Sequence, residues 1–325
     1  MTRGIESSHR FTSSAEFCDR VEHARRRIPP EFTNTPLDDV TLSAPGGAQR
    51  LLLKLETRHA LRSFKGRGAF AFVVGSLEPR EVVVTASAGN FGHALAYAAG
   101  TRDHRLIVFA AVGANTRKLQ SIRDCGATVI QSGDDFDAAK EAGKAWALER
   151  GLRFVEDGAE PTIMEGAATI APELQEQAPT IDTLYIPLGN GALAAGIGQW
   201  YKAQRSNVRV VAVVAAGVPC MMHSLEAGHV VATSRVDTIA DGVAVRTPVV
   251  YALSVLTGVI DEVISVSDDQ LLRTMRSLYA EAQLAVEPSA ALGVCAALTQ
   301  PAAGVRAAIV TGANLTAQQL AEWYG

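Results

Sequence analysis

Ser63-Phe64-Lys65-Gly66-Arg67-Gly68-Ala69 places one lysine where an apolar run meets a glycine-flanked turn that should open a helix. Removing an amine from water disfavours its ammonium form, and the neutral amine is a nucleophile able to condense with an aldehyde as a Schiff base. A lysine near a helix start is otherwise an ordinary surface residue, so the reading of Lys65 depends on what accompanies it. The next segment outward is Ser87-Ala88-Gly89-Asn90-Phe91-Gly92. The β-branched run Val82-Val83-Val84-Thr85 precedes it, and the small-residue pattern His93-Ala94-Leu95-Ala96-Tyr97-Ala98 follows. A strand therefore feeds a glycine-containing turn and a helix N-terminus, where free backbone N–H groups can bind a carboxylate and Ser87 and Asn90 add side-chain donors. An ordinary capped strand-to-helix turn would look the same.

Further along, Gly189-Asn190-Gly191-Ala192-Leu193 lies between the apolar run Leu184 to Leu188 and the helix-like Ala194 to Trp200. Its glycines let the backbone approach a ligand closely, and the helix dipole favours a phosphate. The loop also fits G-x-G-x-x-A, the dinucleotide fingerprint, which needs an acid at the end of the next strand. That strand, Val208 to Val214, runs into Ala215-Ala216-Gly217 and offers no carboxylate, which counts against a dinucleotide. A fourth segment, Val310-Thr311-Gly312-Ala313-Asn314, ends the strand-like run Ala307-Ala308-Ile309. A hydroxyl there can hydrogen-bond a ring nitrogen, although a strand end of this kind also reads as a plain turn.

Between these segments, strands and helices alternate. Phe17, Val21, Ala24 and Ile28 recur at helical spacing after Ser13 and Ser14, predicting an N-terminal helix that ends before Pro29-Pro30. Strand-like runs follow at Leu51 to Leu55, Val82 to Thr85, Leu106 to Phe109, Thr128 to Gln131, Arg153 to Val155, Thr183 to Leu188, Val208 to Val214, Glu262 to Val266 and Val305 to Val310. Pro45-Gly46-Gly47 reads as a hairpin or loop tip. Short β-branched strands alternating with helices argue for an α/β fold of parallel, doubly wound sheets, in which ligands sit beyond the strand C-termini. All four segments start at such ends.

In this order the four segments resemble the threonine dehydratase and serine racemase group of the tryptophan synthase β-like, fold type II pyridoxal-phosphate enzymes. The likeness runs from Thr35-Pro36-Leu37 and Lys54-Leu55-Glu56 through the four segments and Thr238 to Val245, to Glu287-Pro288 and Asn314. It implies two lobes of doubly wound, mostly parallel sheets with flanking helices, and pyridoxal 5'-phosphate in the cleft between them. Residues 1–50 and 151–325 would form the large domain and residues 51–150 a smaller one inserted in it. By the same resemblance Lys65 carries the cofactor beside Phe64, and Gly189, Asn190, Gly191, Ala192 and Leu193 bind its phosphate. Asn90 contacts the ring hydroxyl, Gly242 lies against the ring and Thr311 faces the pyridine nitrogen. Ser87, Ala88, Gly89, Asn90 and Phe91 take the substrate.

The implied reaction is β-elimination from a β-hydroxy amino acid such as L-threonine or L-serine, giving a 2-keto acid and ammonia. A β- or γ-replacement synthase, an amino-acid racemase and a non-catalytic cofactor-binding protein are the alternatives. Racemisation needs proton transfer on both faces of Cα, and the serine that serves the second face in serine racemases is replaced here by Ala88. Other departures are Phe91 in place of a histidine and Glu165-Gly166-Ala167-Ala168-Thr169 in place of a more polar segment, both implying altered substrate contacts. Val213-Val214-Ala215-Ala216 stands where relatives begin a divalent-cation site, so no metal is expected. His59, His93 and His223 show no ligand spacing.

Composition agrees with such an enzyme. A chain of 325 residues buries a sizeable core. A formal net charge of -4 gives no electrostatic case for nucleic acid or an anionic membrane. Cys18, Cys125, Cys220 and Cys295 are scattered without a C-x-x-C pair, and Met1 to Glu6 carry no signal-peptide pattern, which together point to a reducing, cytoplasmic setting. No uninterrupted apolar run is long enough to span a bilayer. The expected partners are a small amino-acid substrate and further copies of the chain, as dimer or tetramer. End-product control through an appended regulatory domain, which some threonine dehydratases carry, is not expected.

Overall fold

The computed structural model describes residues 14–301 and 303–325; Ser13 and the stretch from Met1 to Glu6 lie outside them. Ten strands alternate with helices: β1 (Leu37–Leu42), β2 (Gln49–Leu55), β3 (Val82–Ala86), β4 (Arg105–Ala110), β5 (Thr128–Gln131), β6 (Arg153–Val155), β7 (Thr183–Pro187), β8 (Arg209–Ala215), β9 (Glu262–Val266) and β10 (Arg306–Val310). They form a six-stranded sheet of order β1-β2-β10-β7-β8-β9 and a four-stranded sheet of order β5-β4-β3-β6. Every pairing is parallel except β1 with β2.

Strand composition explains this arrangement. Along β7, β8 and β10, alternate residues enter different cores: Leu184, Ile186, Val210, Ala212, Ala307 and Ile309 pack on one face. Tyr185, Val211, Val213, Ala308 and Val310 pack on the other. Strands apolar on both faces are those that helices must cover from both sides, which is the condition for a parallel sheet. The N-terminal helix Ser14–Arg27 buries Phe17, Val21 and Ala24, and the chain leaves it before Pro29-Pro30, as the spacing predicts.

The sequence reading did not anticipate β1. Leu37-Asp38-Asp39-Val40-Thr41-Leu42 carries two aspartates, which suit an edge strand better than a central one. It joins β2 as an antiparallel hairpin across the turn at Pro45-Gly46-Gly47. Sheet membership also changes at points other than residues 51 and 150. Leu52 to Leu55 pair with β10 in the larger sheet, and Arg153 to Val155 pair with β3 in the smaller one.

Candidate functional site

Lys65 opens the helix Lys65–Ser76. The turn before it is fixed to the end of β10: Ser63 bridges Gly312 in antiparallel fashion, and the Phe64 N–H donates to the Thr311 carbonyl at 3.0 Å. The lysine Nζ pairs with the Asp157 carboxylate and lies 4.5 Å from the centre of the Phe64 ring. The amine is thus partly buried in an ion pair, where the sequence reading expected desolvation alone. Asp157 follows β6 in a turn that only glycine can complete. Gly158 has φ +88°, and a Cβ on it would lie 2.7 Å from the Asn190 carbonyl oxygen. Asp157 Oδ1 is buried and has no hydrogen-bond partner among the described residues.

The same helix is held from behind by buried charge. Arg67 donates to Glu56 at 2.7 Å and to Glu173 at 2.7 Å, and Lys54 Nζ reaches Glu173 at 2.9 Å. All four side chains are fully buried. Burial works against the charge on Arg67, and the carboxylates of Glu56 and Glu173 outweigh it, so its pKa is raised. Burial alone would raise Glu173; Arg67 and Lys54 instead hold it at about 2.

The loop Ser87 to Phe91 runs into the helix Asn90–Gly100. Ser87 Oγ accepts from the N–H groups of Gly89 and Gly92 at 3.3 and 3.0 Å, which shapes the loop and leaves the hydroxyl hydrogen for another acceptor. The Asn90 amide is already engaged. Its Nδ2 donates to both Glu287 oxygens at 3.2 and 2.9 Å, and its Oδ1 accepts from Asn314 Nδ2 at 2.8 Å. Glu287 also accepts from the Asn314 N–H. Burial, with the nearby charge of Asp241, raises the Glu287 pKa. This Glu287–Asn90–Asn314 cluster was not derivable from residue types in the sequence, because its members lie more than 20 residues apart.

Gly189-Asn190-Gly191 precede the helix Ala192–Ala203. Gly191 has φ +99°, and a Cβ on it would lie 2.8 Å from that of Ala252; a Cβ on Gly189 would lie 3.0 Å from Val243 Cα. The loop itself carries no basic side chain, and a helix start can bind an anion through backbone N–H groups alone. Gly242 faces Ser289, whose Oγ is buried without a partner among the described residues.

The sequence-derived site residues meet in one cleft of about 670 Å³, with the Arg67 network outside its walls. It brings together Phe64 and Lys65, the run Ser87 to Phe91, the run Gly189 to Leu193, Gly242 and Thr311, with Asp157, Glu287 and Ser289 added by the structure. Glu165 to Thr169 is absent from its walls, contrary to the expectation that this segment alters substrate contacts. Gly166 packs instead against the lysine helix, and Thr169 accepts from Arg67 at 3.0 Å. An amine, a glycine loop at a helix start and the unpartnered Ser289 hydroxyl fit an aldehyde cofactor that bears a phosphate.

Comparison with known proteins agrees with this geometry. Residues 28–312 match the family described as pyridoxal-phosphate dependent enzymes. A biosynthetic L-threonine dehydratase of Salmonella typhimurium is 32% identical over 246 residues, covering 75% of this chain and 48% of that protein. The chain thus spans about half the length of that relative. The processed form of threonine deaminase isoform 2 from Solanum lycopersicum superposes with a TM-score of 0.86 at 26% identity, covering 96% of this chain and 88% of that one. Maize serine racemase superposes with a TM-score of 0.84 at 28% identity, covering 94% of this chain and 95% of the other.

Proposed function

The chain belongs to the pyridoxal-phosphate dependent enzymes, and from that premise we propose that it is an ammonia-lyase acting by β-elimination on a β-hydroxy amino acid such as L-threonine or L-serine. The observation that carries this reading is the convergence of Lys65, the Ser87 to Phe91 loop and the Gly189 to Leu193 cradle on one cleft. Bound there, the cofactor supplies an electron-withdrawing ring that makes the Cα proton of an amino acid removable.

The residues divide the remaining work. Lys65 anchors the cofactor and, once its amine is free, takes the Cα proton at Nζ. Backbone N–H groups of Gly189 to Leu193 hold the phosphate, and Phe64, Asn90, Gly242 and Thr311 hold the ring. Ser87 to Phe91 receive the substrate carboxylate at a helix N-terminus. A neutral Thr311 hydroxyl leaves the ring a weaker electron sink than a carboxylate partner would, so the charge at Cα is short-lived and loss of a β leaving group is favoured. Ala88 has no proton to give on the face opposite Lys65, which argues against racemisation. The division into a large lobe and a smaller one inserted in it, with β2 kept in the large lobe and β6 in the small one, a cytoplasmic setting and assembly as a dimer or tetramer belong to the same proposal. Four free cysteines support the setting.

One experiment tests both reaction type and stereochemistry. Incubated with L-serine or L-threonine in deuterated water, the cofactor-loaded enzyme is expected to release keto acid and ammonia without the Cα-inverted amino acid. Rapid inversion would contradict the Ala88 argument, and absence of keto acid from every amino acid tried would contradict the lyase assignment.

A further inference from the structure

We propose that Asp157 is a catalytic proton carrier, which passes the proton collected by Lys65 to the departing group at Cβ. The inference rests on the elimination reading above. Its side chain is only 6% exposed and lines the same cleft as Lys65. One oxygen, Oδ2, holds the Lys65 Nζ. The other, Oδ1, is buried with no partner, and no other carboxylate among the described residues has an oxygen in that condition. The remaining acids around the cleft are engaged: Glu287 by Asn90 and Asn314, Asp241 by Lys118, Glu156 by Lys140, Asp137 by Arg246, and Asp135 by the Ala138 N–H and Arg246. A buried carboxylate oxygen without a donor is costly, so a group that enters the cleft with an O–H is its natural partner.

The β-hydroxyl of the substrate is such a group, and its departure needs a proton because hydroxide leaves poorly. In the step, the Nζ lone pair takes the Cα proton and the Cα–H electron pair becomes the Cα–Cβ double bond. The Cβ–O bond breaks with its pair on oxygen. The proton gained by Lys65 passes to the adjoining Asp157 carboxylate, and Asp157 delivers one proton to the leaving oxygen, which departs as water. Both residues return to their starting state, and no oxidant, reductant or co-reactant is required.

L-Serine and β-chloro-L-alanine distinguish this role from a structural one, since both give pyruvate and ammonia but chloride leaves without a proton. Asp157→Asn is expected to lower turnover of serine about a hundredfold or more while β-chloroalanine changes by less than about threefold, the range a general acid contributes. The variant should still bind the cofactor. The ratio of the two rates is internal to one preparation, so partial folding or loading scales both alike. Equal effects on the two substrates, or none, would overturn the proposal, as would loss of cofactor binding with a matching loss of both rates. A wild type that eliminates from neither substrate would instead overturn the elimination reading. Where the variant does not fold, the wild type decides: a solvent deuterium isotope effect on serine that β-chloroalanine lacks is expected, because only the hydroxyl leaves with a proton transferred to it, and equal effects on both would overturn the proposal.

Discussion

Gly191 carries much of the argument about the phosphate. Its φ of +99° is a conformation that side-chain-bearing residues adopt at a cost of about 1–3 kcal/mol, and a Cβ there would meet Ala252 at 2.8 Å. Gly191→Val therefore forces the loop out of the shape in which its N–H groups face the cleft. The expected result is pyridoxal-phosphate binding weakened roughly tenfold or more, about 1.4 kcal/mol for each tenfold, measured by titration of the visible spectrum. Affinity equal to that of the wild type would contradict the assignment of this loop. The Gly189 to Gly191 loop and Thr311 were legible because each follows a strand that the chain itself announces, whereas Lys65 opens a helix well beyond the end of β2. Asp157 was not, since an aspartate in Val155-Glu156-Asp157-Gly158 reads as a turn residue until β6 is seen to end opposite Lys65. Asn90 was legible as a donor, but its engagement by Glu287 and Asn314 depends on contacts across 197 and 224 residues of sequence.

Between elements, the buried charges of Arg67, Lys54, Glu56 and Glu173 tie the lysine helix to β2 and to the helix Ile170–Gln177. Removing one partner of such a set leaves the others buried and uncompensated, which costs about 3–5 kcal/mol. Glu173→Gln is expected to lower the denaturation midpoint accordingly. Glu173 also gives the fold an acid dependence. Its pKa in the folded chain is about 2 against an ordinary 4.5, so its contribution is complete above about pH 4.5 and is lost as pH falls towards 2. Stability measured across that window should fall less steeply with acid in the variant than in the wild type, and identical slopes would contradict the network. The network was hidden in the sequence because Lys54 and Glu56 lie in an apolar strand pattern that says nothing of their partners. The N-terminal helix and nine of the strands were legible from residue pattern, and β1 escaped because Asp38 and Asp39 mask the alternation of an edge strand.

At the scale of the whole molecule, the two sheets present the C-terminal ends of β3, β6, β7 and β10 to one cleft, and ion pairs span its mouth. Lys118 Nζ meets Asp241 at 2.8 Å, and Arg246 Nε meets Asp137 at 2.6 Å, each joining the four-stranded side to the segment after β8. No helix of the described residues is long and apolar enough to cross a membrane. The sequence reading placed all four motifs at strand ends; three do follow β3, β7 and β10, where parallel topology makes such ends meet, while the lysine segment lies beyond the end of β2 and is tied in by the bridge from Ser63 to Gly312. The central claim is that this meeting exists to hold pyridoxal phosphate on one lysine. Borohydride reduction of the cofactor-loaded protein, followed by peptide mapping, tests it most directly. The account predicts pyridoxyl label on Lys65 in the peptide containing Ser63-Phe64-Lys65-Gly66; label on any other lysine, or on none, would contradict it.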